Sequence, residues 1–127
     1  MMYVKKVLNY DESSSEAEVI VSDGEFEILC YAWGFNPKHT DGFSLSAFLV
    51  TDVEKSDGRK CYAVPNSRSY FACDICGRLS EGGKIAVGSV LIDVDLKDIP
   101  KDIKLNDYVR LSCMRIDFIQ GVDGWKK

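Results

Sequence analysis

Residues 16–33, EAEVIVSDGEFEILCYAW, alternate apolar and polar side chains on both flanks of an Asp23-Gly24 pair. No other stretch limits the possible folds as much. Asp-Gly is favoured in two-residue hairpin turns because both turn residues need a positive φ. Two strands joined there place Ala17, Val19 and Val21 on one face with Phe26, Ile28, Cys30 and Ala32. Glu16, Glu18, Glu25 and Glu27 take the other face, the pattern of an antiparallel sheet with one wet side. Beyond Glu27 the polar face gives way to Leu29, Tyr31 and Trp33. That end of the hairpin is apolar on both sides, so either later chain or a partner has to cover it.

More strands follow the same logic. Residues 3–10 read as a short or edge strand, 11–15 (DESSS) as a polar loop, and 34–42 as a loop in which Pro37 cannot extend a ladder. A strand is predicted over 43–53 through Phe43, Leu45, Ala47, Leu49 and Val53, followed by a turn-rich segment over 54–69. Residues 70–79 form the next, with Phe71, Cys73, Ile75 and Leu79 inward, and Glu81–Lys84 supplies a turn. Residues 85–94 are apolar at nearly every position and read as a strand buried on both faces. A loop over 95–106 leads to a last strand over 108–119 and a tail. Seven strands, Asp-Gly pairs at Asp23, Asp41, Asp57 and Asp123, and no helical periodicity predict one all-β domain over residues 1–127. The expected architecture is a small closed or partly open antiparallel barrel, with a β-sandwich as the alternative.

Composition narrows the function classes. The longest apolar run, Ile28–Phe35, is too short to span a bilayer. Lys5 and Lys6 near the start are not followed by an apolar block, so no secretory signal is expected and the location is read as cytoplasmic. Five cysteines without framework spacing fit free thiols better than a disulfide scaffold. Residues 1–33 set two lysines against seven acids, which repels phosphate backbones. Only residues 54–84 are mildly basic.

From Tyr70 onward the order is a strand, Gly77-Arg78, a Gly82-Gly83 turn, Ile85-Ala86-Val87-Gly88, a strand, a Pro100 loop and KLNDYVRL at Lys104–Leu111. This resembles the second half of small OB-like barrels, where a polar K-x-G-D-x-V turn feeds the closing strand. Asn106 stands where glycine is usual, and asparagine tolerates a left-handed backbone. The resemblance implies an OB-like barrel, a fold that serves oligonucleotides, sugars or proteins alike.

Catalytic and metal motifs are weak. Cys73-Asp-Ile-Cys76-Gly77 has the spacing of a zinc knuckle, whose turn aims two thiolates at one centre. The further ligands would have to come from Cys30, Cys61, Cys113 or His39, which supply no second close pair. In a strand, moreover, residues three apart point to opposite faces. A redox pair wants a helix N-terminus that this context lacks. His39 is the only histidine and lies in a polar loop with no nucleophile signature around it. Asp93, Asp95 and Asp98 miss the positions of a calcium loop, and Gly82-Gly83-Lys84 lacks the remainder of a phosphate loop. No cofactor is expected.

The aromatic residues carry more. Tyr31, Trp33 and Phe35 end the hairpin, Tyr62 and Tyr70 flank a segment with Arg59, Lys60 and Arg68, and Trp125 sits in the tail. The predicted contact surface is Tyr31, Trp33 and Phe35 with Arg59, Tyr62 and Arg68 alongside. Such a set suits a protein-interaction hot spot or stacking of single-stranded nucleic acid, and the acidic first third disfavours the latter. The plain alternative is that the rings cap the rim of the core. The sequence therefore predicts a non-enzymatic OB-like binding module with an unidentified protein or small-molecule partner and no membrane. Zinc at Cys73 and Cys76 is the alternative.

Overall fold

A computed structural model describes residues 1–121; Asp123 and Trp125 lie outside the described residues. In chain order the strands are β1 (Tyr3–Asp11), β2 (Glu16–Ser22), β3 (Glu27–Trp33), β4 (Phe43–Phe48), β5 (Thr51–Lys55) and β6 (Tyr62–Pro65). Then come β7 (Cys73–Ser80), β8 (Lys84–Val87), β9 (Val90–Asp93), β10 (Tyr108–Cys113) and β11 (Arg115–Gln120). A single 3-10 turn, Leu96–Asp98, precedes the loop into β10. Among the described residues no helix is long and apolar enough to cross a membrane.

All the strands belong to one sheet of order β1-β2-β3-β11-β4-β9-β8-β7-β10-β5, with β6 attached to β7. Among the described residues hydrogen bonds do not close this sheet, and the β3–β11 and β4–β9 pairings are parallel. The all-β class is as expected; the departure from expectation is the pair of parallel contacts within an otherwise antiparallel sheet.

The hairpin sorts its faces as its alternation demands. Ala17, Val19, Val21, Ile28, Cys30 and Ala32 are all buried. Its turn differs from expectation. The last ladder pair is Ser22 with Glu27, which leaves a four-residue loop in place of a two-residue turn. The Asp23 carboxylate supplies the reason: Oδ1 accepts the N–H groups of Glu25 and Phe26 at 2.9 and 2.8 Å, and Oδ2 accepts that of Ser89 at 2.7 Å. Burial works against the charge, but these N–H donors prevail and hold the carboxyl below its ordinary range. The loop is thereby stapled to the β8–β9 turn. Gly88 is required there, since its φ is +62° and a Cβ would lie 2.7 Å from the Phe26 ring.

Three long apolar runs, each read as one strand, are broken in two. Residues 85–94 fold back at Gly88 to give the β8–β9 hairpin. Inward positions on β10 are Val109, Leu111 and Cys113, but on β11 they are Ile116 and Phe118. This one-residue slip marks the bend at Met114. Residues 43–53 bend at Leu49, whose φ is +54°. β4 and β5 pair with β11 and β10 respectively, so two bent strands run side by side and carry the sheet over its own core. Leu45, Ile75, Ile85, Ile92 and Ile116 are fully buried within it. The strand β6, inside the turn-rich 54–69 segment, has no counterpart in the sequence reading.

Gly77 also finds its explanation here. A Cβ on it would sit 2.5 Å from the Ala86 carbonyl oxygen, so this glycine lets β8 approach β7. At the turn into β10, Asn106 has a φ of +75° and its side chain accepts from Arg78 at 2.8 Å.

Candidate functional site

The outer faces of β3, β11 and β4 form one surface. Parallel pairing sets Asp117 beside Tyr31, and antiparallel pairing sets Asp117 beside Ser46 and Arg115 beside Phe48. Sequence reasoning missed Arg115, which is the centre of this surface. Its guanidinium lies 4.9 Å from the centroid of the Tyr31 ring and 4.4 Å from that of Phe48. Nε donates to Asp117 Oδ1 at 2.5 Å. That hydrogen bond raises the Arg115 pKa further, so the cation is permanent. Two aromatic faces and a carboxylate hold it in place.

A second segment reaches this face from β6–β7. The Asn66 N–H donates to the Ala72 carbonyl at 3.0 Å, closing a loop that delivers Tyr70 and Phe71 to β2 and β3. Phe71 packs edge-on against Tyr31 with centroids 5.6 Å apart, and the Tyr70 hydroxyl donates to Glu18. Phe71 was expected in the core as a strand residue; β7 starts only at Cys73, and Phe71 covers Tyr31 instead. Burial, and after it the Glu16 carboxylate, raises the Tyr31 phenol above its usual range, so it stays a protonated donor.

Trp33 is left without such cover. It is 77% exposed at the end of β3. Beside it opens a groove of about 680 Å³, lined by Tyr31, Gly34, Arg115, Asp117, Ile119 and Gln120 as well. The expected companion Phe35 does not join it. After Gly34 (φ +68°) the chain turns inward, and Phe35, 4% exposed, packs against Tyr10 and Phe118. Gln120 fixes the loop behind it, accepting from the Asn36 N–H at 2.8 Å and donating to the Asn36 carbonyl at 3.0 Å.

The basic half of the expected surface does not assemble here. Tyr62 lines a separate groove of about 260 Å³ with Asp52, Glu54, Asp74 and Arg110. Arg68 is engaged with Asp52 at 3.0 Å and Thr51 at 3.2 Å. Arg59 is exposed and borders neither groove.

Cys73 and Cys76 take opposite faces of β7. Cys73 Sγ lies 3.6 Å from Cys113 Sγ in the core, and that contact together with burial pushes its thiol up. Cys76 lies on the other side, where burial raises its thiol too. A shared metal would need both on one side, and among the described residues no three His, Cys, Asp or Glu side chains cluster as a metal site. Compared with known proteins, the chain matches no protein family, no curated protein and no solved structure.

Proposed function

We propose that this chain is a non-enzymatic binding module whose contact surface is the outer face of β3 and β11, centred on Trp33, Tyr31 and Arg115. We read its bent, self-wrapped sheet as an OB-like scaffold, on the strength of the two long bent strands and the left-handed Asn106 turn. The observation that carries the functional reading is the contrast between Trp33 and its neighbours. Tyr31, Phe48 and Arg115 are locked in a stack, and an uncovered tryptophan stands beside a groove at the edge of that stack. Tryptophan, tyrosine and arginine are the residues on which interface energy concentrates. A rigid sheet presenting them loses little entropy on binding.

Selection of a random-peptide display library on the full chain, with Trp33→Ala as counter-selection, tests this. Peptides retained by the native chain and released by Trp33→Ala are expected, with the variant's melting temperature within about 4 °C of the native value. Enriched peptides that bind Trp33→Ala equally well, or a Trp33→Ala chain that no longer folds, would overturn the reading.

A further inference from the structure

Resting on that contact surface, we propose that its partner is a lysine- or arginine-bearing segment of another protein. Tyr31 is the wall between two grooves. On one side lies the groove of Trp33, Arg115 and Asp117; on the other is one of about 310 Å³ bordered by Asp11, Glu16, Glu18 and Phe71. Four carboxylates and one guanidinium therefore border the pair of grooves, and Asp117 already neutralises the guanidinium.

The other three carboxylates have no cationic partner among the described residues. Glu18 accepts from the Asn9 amide at 2.8 Å and from the Tyr70 hydroxyl, donors that orient the group without cancelling it. Asp11 accepts from the Ser13 hydroxyl at 2.7 Å and its N–H at 3.0 Å, which hold its carboxyl below the usual range. Glu16 sits directly opposite Trp33 on the β2–β3 ladder. An ammonium or guanidinium over the Trp33 ring thus meets a π face and a carboxylate together. The alkyl stem of the same side chain covers apolar ring surface. The nearby cation Lys5 on β1 is already paired with Glu27. An anionic partner, including any phosphate backbone, would face three carboxylates that have no cation among the described residues.

Titration of the isotopically labelled full chain with capped tetralysine, and separately with capped tetraglutamate, decides the matter by NMR. Tetralysine should shift the Trp33 indole N–H and the Glu16 and Tyr31 amides, and should bind more weakly as salt is added. Glu16→Gln should reduce its affinity about two- to fivefold, and Trp33→Ala at least about tenfold. Equal binding of tetraglutamate, or tetralysine binding that leaves Trp33 unmoved, would overturn the proposal. If library peptides engage Trp33 while tetralysine does not, the charge assignment falls and the contact surface stands. If neither engages Trp33, both fall.

Discussion

Two outer faces of the same sheet treat their polar groups differently. On β7, β10 and β5, the Asp74 carboxylate accepts from the Ser112 hydroxyl at 2.7 Å and the Asn66 amide at 3.0 Å. Beside it Arg110 pairs with Glu54, and Arg68 with Asp52. Both of these arginines are paired within the fold, and Arg68 adds a favourable charge near Asp74. On β3, β11 and β4, Arg115 is likewise engaged, but Trp33 is open and three carboxylates have no cation among the described residues. Of the arginines that the sequence places near tyrosines, Arg68 is paired with Asp52 on the first face and Arg59 borders neither groove. Uncovered apolar surface beside carboxylates without a described cation is what sets the proposed contact face apart from the other.

The sharpest way to break this contrast uses two aromatics that are near neighbours in sequence. Phe35→Ala should cost about 3–5 kcal/mol because it empties a packed site, whereas Trp33→Ala should stay within about 0.5 kcal/mol. Urea unfolding compares the two directly, and equal costs would erase the difference between the exposed ring and the core ring. Next in size is Asp74→Ala, expected to cost about 1–3 kcal/mol by stranding the Ser112 and Asn66 donors. The Ser112 hydroxyl, and then the Asn66 amide, hold the folded Asp74 pKa below its ordinary value. Its contribution is therefore complete above the unfolded pKa of about 3.9 and lost as pH falls through the folded value. Stability to urea, followed from neutral to acid pH, should fall less steeply in Asp74→Asn than in the native chain. Arg110→Ala should matter least, leaving the unfolding midpoint close to the native value, because both it and Glu54 are more than half exposed. Thiol alkylation with peptide mapping adds a check that needs no substitution. The half-buried Cys61 should react first, and Cys30, where burial pushes the thiol up, should react last.

The faces of β2 and β3 were legible because a period of two over seven residues leaves one consistent burial pattern. The breaks at Gly88 and Met114 were not read, although the second leaves a trace as the shift from odd to even inward positions after Cys113. A run rich in apolar residues hides such a slip. Trp33 and Tyr31 could be singled out because they interrupt the polar face of their own hairpin. Arg115 could not, since it reaches Tyr31 through a parallel pairing between distant strands, and local periodicity says nothing about such a neighbour. Phe35 was misplaced for a related reason: the positive φ at Gly34 reverses which way the next ring points.

The position of β11 between β3 and β4 has a consequence for how the protein is made. The strand that completes the middle of the sheet is the last one of the described residues to leave the ribosome. Synthesis proceeds at about 5–20 residues per second, so the β1–β3 segment waits seconds with its inner edge unpaired. During that interval the apolar face of Val19, Cys30 and Ala32 and the open edge of β3 are available to other nascent chains. The last of the described strands thus joins the two halves of the sheet, and truncation before Arg115 would leave the first hairpin without the neighbour that anchors it.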